Sequence, residues 1–491
     1  MYSITLLLIL ATTLVLAWAG TGLIIRHAVR WGLEDVPNQR SSHTRITPRG
    51  GGAAIVVASL AGVLLLVLAA FILPALIGNP DPYAAAGSML TPEGLAHAPA
   101  TQPSWWRVML HHDLAWLQGI SGLAPVAALL FLPGLILGIM GLMDDRKGLS
   151  IRLRLGFQLT AVIWLLAVLY RIMGGADIGW QSLSVLWDAL GNLGMPGMQQ
   201  GISESFAQGH DILPLLLAGI TGTALIVAGV WWINLYNFMD GIDGIAASQA
   251  LFMLLGAVLL RSLVPLSPDV ATASGKAAAC LLSGVVPAPA GQLLAPGGLF
   301  DCIQLEHLMT DPSSTFSLIL AAAVTGFLFW NWGPARIFMG DAGSLFLGYI
   351  LLAIASAETV LWLREYHAAV ASGVNPDSPA HVVYGVPPAS WLILGSVFII
   401  DATVTLVRRI LSGQRVGDPH RSHVYQRLSR RFGSHARATL VYCLINVLWL
   451  LPLATIARLQ PGLGMSMLLL AWVPLILLAW ALGAGRTEPV S

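Results

Sequence analysis

WWINLYNFMDGIDGIA, residues 231 to 246, decides how this chain is to be read. An apolar run enters it, another leaves it, and between them stand Asn234, Asn237, Asp240 and Asp243. The four recur every three residues, so a helical backbone would set them along one polar stripe. Gly241 and Gly244 would let backbone or ligand approach that stripe closely. A lone Asp in this position is ordinarily the N-cap of the next helix. Four polar residues in register, none of them basic, point instead to a functional surface where apolar sequence meets water.

Outward from this stretch the chain is apolar nearly throughout. Of its 491 residues 56% are hydrophobic and 10% charged, which places it among all-α polytopic integral membrane proteins rather than soluble domains. Eleven segments are long enough to span a bilayer: Ser3 to Ile25, Ala53 to Ile77, Leu123 to Met143, Leu155 to Met173, Ile212 to Ile233, Ile245 to Leu260, Phe316 to Phe329, Ser344 to Leu363, Ala389 to Val407, Ala438 to Ile456 and Leu463 to Leu482. The first lacks a basic n-region and a small-residue cleavage site, so it is expected to be a retained helix. Cys280, Cys302 and Cys443 are scattered singly and suggest neither a zinc site nor a disulfide framework. A net charge of +1 gives no basis for a nucleic-acid partner. The expected organisation is one membrane-embedded domain over residues 1–491, with extended outer connections at 78–122, 174–211 and 261–315.

Orientation follows from the basic residues. Of the 25 lysines and arginines, 18 fall in the connections after the first, third, fifth, seventh and ninth segments. That side is expected to be cytoplasmic, with the N-terminus outside. Every chemically dense stretch lies on it. The outer connections are rich in Gly, Pro, Ser and Ala; Ala277 to Phe300 is apolar but irregular, suiting a re-entrant segment better than a crossing, and His111 and His112 are read as incidental.

Five connections on the basic side carry the candidates. The first, DVPNQRSSHTRITPRGGG, sets Arg40, Arg45 and Arg49 near glycine-rich backbone suited to phosphate, although juxtamembrane arginines also serve simply to fix topology. The second has Asp144 and Asp145 side by side where a segment leaves the membrane. They would hold magnesium or accept a proton, unless Arg146 and Lys147 merely neutralise them. The third is the opening stretch. The fourth, NWGPARIFMGDAGS, sets Asp341 between Gly340 and Gly343 at the start of a span, as an N-cap or as a further acid for one cation and phosphate site. The fifth, Arg408 to Arg437, is the most basic and places His420 and His423 around Arg421, a set suited to phosphates and sugar hydroxyls. Asp401, inside the ninth segment, is a further anomaly for which a functional or supporting role is the default expectation. Together these residues suggest phosphoryl transfer between a cytosolic compound and a lipid.

NLYNFMDGIDGIA, PARIFMGDAGS, the Asp144 and Asp145 pair and the PRGGG loop resemble the polyprenyl-phosphate N-acetylhexosamine-1-phosphate transferases, glycosyltransferase family 4. That family includes the bacterial initiators of O-antigen and phospho-N-acetylmuramoyl-pentapeptide transferase of peptidoglycan synthesis. The resemblance covers all five connections in order and leaves out the long outer ones. It implies transfer of a sugar-1-phosphate from a UDP-N-acetylhexosamine to undecaprenyl phosphate, giving a lipid diphosphosugar and UMP, at the cytoplasmic face of a bacterial inner membrane. It further implies magnesium, with manganese as a substitute, held by Asp341 and Asp240. Asp144, Asp145, Asp240 and Asp243 would be catalytic, and Asn237, Arg49, His420, Arg421 and His423 would bind substrate. The fifth connection has HRSH where the peptidoglycan enzymes carry consecutive histidines, so the O-antigen branch of lipopolysaccharide synthesis is the nearer pattern. GlcNAc, FucNAc and QuiNAc all remain open as the sugar, and a homodimer is left open as the assembly.

A phosphate monoester has its second pKa near ~6, so a lipid phosphate is largely dianionic at neutral pH and needs no strong base. The harder task is bringing it against an anionic diphosphate. Asp341 is therefore expected as a metal ligand before Asp144 or Asp145 as a base, with a covalent aspartyl-phosphate route still open. The competing class is a transporter of an anionic or lipid-linked substrate. Transporters place polar groups near the bilayer midplane and often show related halves, whereas here the motifs cluster at segment ends and no repeat is visible.

Overall fold

The computed structural model describes residues 4–37, 45–77, 124–172, 212–263, 312–373, 385–415 and 420–486. The connections 78–122 and 174–211, nearly all of 261–315, His111, His112, Arg40, Cys280 and Cys302 lie outside the described residues. Helix α1 (Ile4–Trp31) leads through a two-residue antiparallel pairing of β1 (Glu34–Asp35) with β2 (Thr47–Pro48) into α2 (Gly52–Ile77). Then come α3 (Ala124–Lys147), α4 (Ile151–Ile172), α5 (Ile212–Phe238), α6 (Ile245–Ser262), α7 (Pro312–Asn331) and α8 (Gly340–Ala371). The chain continues with α9 (Pro388–Leu394), α10 (Ser396–Leu411), α11 (Val424–Phe432), α12 (His435–Ile445), α13 (Leu451–Leu459) and α14 (Gly464–Ala481). A π turn, Asn446–Leu450, makes α12 and α13 one continuous span.

Among the described residues ten helices are long and apolar enough to cross a membrane, and a bent pair makes an eleventh. This is the multi-pass, all-α architecture expected from composition. Many large apolar side chains, Leu8, Val57, Phe71, Ile220 and Leu477 among them, face outward, as they do where a helix meets lipid tails.

Helix α8 is the hub and packs on α2, α3, α4, α5, α6 and α9. Lipid is as apolar as leucine, so close packing between small residues has to draw such helices together. On α3, Gly134, Gly138 and Gly141 supply that face: a Cβ on Gly134 would lie 2.7 Å from Ile350, one on Gly138 3.0 Å from Val56, and one on Gly141 would strike the backbone carbonyl of Asp341. Several buried polar groups that bridge helices find internal partners, which offsets the cost of burying them. Gln249 donates to the Leu394 carbonyl and accepts from Asn446 (2.9 and 2.7 Å), and Arg261 pairs with Glu358 at 2.8 Å.

The ninth predicted segment is not one straight helix. It divides at Gly395 into α9 and α10, bent by 71°. A Gly–Ser pair is a common place for a kink. Here Ser396 turns its hydroxyl back to the Leu392 carbonyl (2.9 Å), while a Cβ on Gly395 would meet the Trp232 ring at 3.0 Å. The bend seats bare backbone against that indole.

Candidate active site

The polar stripe of the opening stretch is only half helical. α5 stops at Phe238, and 239–244 form a turn that ends on Gly244 at φ 74°. That left-handed conformation favours glycine. Gly244, not Asp240 or Asp243, is the N-cap of α6, with no side-chain cap, and its N–H donates to the Asn331 side chain at 2.9 Å. Asn234 and Asn237 stay on the helix and diverge in role. Asn234 exchanges hydrogen bonds with Gln158 of α4 (2.7 and 3.3 Å), while Asn237 donates to Asp341 Oδ1 and Ser344 Oγ, both at 2.8 Å.

Asp341 sits in the first turn of α8, and the acids converge on it. Asp145, 4% exposed, accepts the backbone N–H of Asp341 (3.1 Å) and of Ala342 (3.2 Å). A carboxylate from α3 thus caps the N-terminus of α8, where the helix dipole and unpaired N–H groups favour negative charge. Gly340 at φ 74° leaves room for it: a Cβ there would come within 2.6 Å of Asp145 Oδ2. Asp144 accepts from the Leu149 N–H and pairs with Arg154 at 2.9 Å, and its carboxyl touches that of Asp341. Arg154 Nη1 lies 3.7 Å from Asp341 Oδ2 and bridges the two acids. Arg49 donates to the backbone carbonyl of Asp145.

Asp240 stands in the turn, half-buried, and among the described residues none hydrogen-bonds its carboxylate. Burial, then the charges of Asp341 and Asp145, push its pKa up to about 8. Asp243 faces elsewhere. It pairs with His435 at 2.9 Å and accepts the Ala335 N–H at 3.0 Å, while its own carbonyl accepts from Thr439. It joins the third and fourth connections to α12.

The glycines of PRGGG do not line the site. Gly51 and Gly52 donate their N–H groups to the carbonyls of Phe338 and Met339 (3.0 and 2.9 Å), and Phe338 donates back to Pro48 (2.8 Å). These amides hold the first connection to the fourth instead of facing a phosphate, because a bare backbone pairs best with another backbone at that distance. Nor are Arg146 and Lys147, both exposed, the cations of the acid pair; Arg154 pairs with Asp144, and Arg49 lies beside Asp145.

The histidine segment forms a second layer. His423 is buried, 3.4 Å from Asp401 through Nδ1, and its ring stacks on Tyr425. His420 is half-buried with Nδ1 3.0 Å from the Ser422 hydroxyl. Burial, then the charges of His423 and Arg409, lower its pKa to about 4, so it meets a ligand as a neutral imidazole. Arg421 is half-exposed, and its carbonyl accepts from Arg430 at 2.9 Å. Tyr425 ties this layer to the opening stretch, donating its hydroxyl to the Phe238 carbonyl at 2.9 Å.

Four carboxylates and two arginines thus meet where five spans end at one face of a helical bundle. That defines a multi-pass membrane protein with an acidic cluster at the ends of its membrane-length helices. Residues 127–358, from α3 through most of α8, match the model of glycosyl transferase family 4. The chain is 25% identical over 431 residues to the probable undecaprenyl-phosphate N-acetylglucosaminyl 1-phosphate transferase of Bacillus subtilis, covering 87% of this chain and 78% of that one. To the decaprenyl-phosphate N-acetylglucosaminephosphotransferase of Mycolicibacterium smegmatis it is 26% identical over 444 residues, covering 89% and 79%. A phospho-N-acetylmuramoyl-pentapeptide-transferase of Mycolicibacterium gilvum matches over 238 residues at 29% identity, 47% of this chain and 54% of the relative.

The acids of this cluster stand out in the sequence, but not Arg154 as their partner, nor Gln158, Ser344, Tyr425 and His435, which pair with Asn234, Asn237, the Phe238 carbonyl and Asp243. Neither Arg154 nor Tyr425 carries a local signal that marks it for these roles.

Proposed function

We propose that the protein transfers an N-acetylhexosamine-1-phosphate from a UDP-sugar to undecaprenyl phosphate, releasing UMP, at the cytoplasmic face of a bacterial inner membrane as the first step of O-antigen or another envelope polysaccharide. The observation that carries this reading is the meeting of Asp144, Asp145, Asp240 and Asp341 with Arg154 and Arg49 at the ends of membrane-spanning helices. The relatives named for polyprenyl-phosphate transferases support it, covering nearly nine-tenths of the chain.

The carboxylates fit a divalent cation. Asp144 and Asp341 touch, and Asp240 lies close enough to Asp341 and Asp145 to feel both charges. Among the described residues no three His, Cys, Asp or Glu side chains are already set around one ion. Magnesium is commonly held by one or two carboxylates plus substrate phosphates and water, so Asp341 and Asp240 suffice. Bound there, it would neutralise charge on the diphosphate.

The chain's own groups do the rest. An oxygen of the lipid phosphate attacks the sugar-bearing phosphorus, the phosphoanhydride bond breaks, and UMP departs with its electron pair. Arg154 holds Asp341 and Asp144 in place and offers positive charge beside the reacting phosphates. Asn237 fixes the Asp341 rotamer, and Asp145 fixes the helix that bears it. His420 and Arg421 would take the uridine or sugar end, and Asp243 braces the turn that presents Asp240.

Purified protein with undecaprenyl phosphate, magnesium and UDP-GlcNAc, UDP-FucNAc or UDP-QuiNAc should release UMP and lose that activity with a chelator. No UMP from any of the three would reject the reading. In the same assay His420→Gln should lower kcat/KM without reshaping the pH profile between about pH 5.5 and 8. Wild-type His420 gains its proton only near pH 4, so a profile step near neutrality that vanished in the variant would contradict this.

A further inference from the structure

We propose that Asp401 is a positioning residue for nucleotide-sugar binding: it anchors the segment carrying His420 and His423 and, through Tyr425, holds that segment against the turn that bears Asp240. The inference rests on the reaction proposed above.

Asp401 lies on α10, 3% exposed, and touches none of the clustered acids through a described contact. Its Oδ1 accepts the Val424 N–H (2.9 Å) and the Thr405 hydroxyl (3.2 Å), with His423 Nδ1 at 3.4 Å. Its Oδ2 accepts the Tyr425 N–H (3.1 Å) and the Tyr442 hydroxyl (2.7 Å). A buried carboxylate is tolerable only when its lone pairs are satisfied and positive potential surrounds it. Here donors from α10, α11 and α12 converge, and the first amides of α11 bring the positive end of its dipole. Helix α11 is therefore capped from a separate helix at its first two amides, beside its own Gln426 side chain, which accepts the His423 N–H at 3.3 Å.

What α11 carries makes the anchor more than structural. His423 immediately precedes it, with the His420 ring centroid 5.0 Å away. Tyr425, second in the helix, reaches the Phe238 carbonyl, and a Cβ on Gly241 would collide with its ring and hydroxyl. Asp240 lies between Phe238 and Gly241. One carboxylate thus sets the distance between the histidine layer and the acidic turn, the gap a UDP-sugar would bridge.

The test combines hydrogen exchange with steady-state kinetics on the full chain in detergent, using undecaprenyl phosphate and whichever UDP-N-acetylhexosamine the wild type accepts. Asp401→Asn keeps the shape and removes the charge. Exchange over 420–427 should accelerate about tenfold, the loss of roughly one charge-assisted hydrogen bond, with peptides of α3 and α8 unchanged. The KM for the UDP-sugar should rise about tenfold while that for undecaprenyl phosphate stays within about twofold. Unchanged exchange over 420–427, or faster exchange with an unmoved UDP-sugar KM, overturns the proposal. Should Asp401→Asn loosen the whole bundle, Tyr425→Phe decides. It removes only the bond to Phe238, and a raised UDP-sugar KM with faster exchange confined to 238–243 upholds the coupling, while an unmoved KM refutes it. If wild-type protein makes no UMP, the reaction as read fails, and the exchange arm alone decides whether Asp401 holds this segment.

Discussion

Asp341→Asn should cut UMP release by about a thousandfold or more, the scale on which enzymes lose a charge aimed at the reacting phosphates, and should do so without harming the fold. The amide oxygen of the variant can still accept from Asn237, whose present bond to Asp341 is 2.8 Å. The Asp145 cap on α8 is made to backbone and does not depend on the side chain at 341. What disappears is one of several negative charges crowded together, and relieving that repulsion stabilises folded protein. The expected signature is a melting temperature in detergent equal to or above that of wild type, with activity gone. Stability is often exchanged for function at such sites. Retained activity would remove Asp341 from the mechanism; a collapsed melting temperature would make it a structural residue.

Gly52→Val should do the opposite and fail as a folded protein. A Cβ at Gly52 would fall on the backbone of Gly343, which is itself in the first turn of α8, and neither backbone can yield like a flexible side chain. Overpacking a well-packed core costs about 1–3 kcal/mol when side chains can shift, and more when they cannot. The Gly52 N–H bond to the Met339 carbonyl would be lost with the displacement, and Asp341 would move with its helix. Aggregation on size-exclusion chromatography, or a melting temperature lower by roughly ten degrees or more, is the expected reading. Normal elution with normal activity would mean that the two segments are not in contact as described.

Much of this molecule was visible in its sequence because membrane-spanning structure is written locally. A run of about twenty apolar residues is a span whatever surrounds it, and acids at span ends stand out against that background. Asp144, Asp145, Asp240 and Asp341 were found that way, and the structure brings them together. What sequence could not show is pairing at long range. Nothing local distinguishes Arg154 from the other bases on its side as the partner of Asp144, and the neighbouring Arg146 and Lys147 were the more obvious choice. The glycines of PRGGG were misread for a related reason. Glycine permits close approach, but sequence does not say to what, and the answer is the backbone of residues 338 and 339. The helical stripe through Asp240 and Asp243 failed at Phe238, where the turn ending on Gly244 overrides the three-residue spacing.

The backbone bonds from Gly51 and Gly52 to Phe338 and Met339, and the tyrosine bridge from 425 to 238, also bear on how specificity could be moved between relatives. The natural graft is not a single loop. Residues 45–52 would have to travel with 337–343, and 420–427 with 238–241, since each half is shaped to the other. Chimeras that exchange one member alone should misfold or lose turnover, and those that carry both should inherit the donor's sugar.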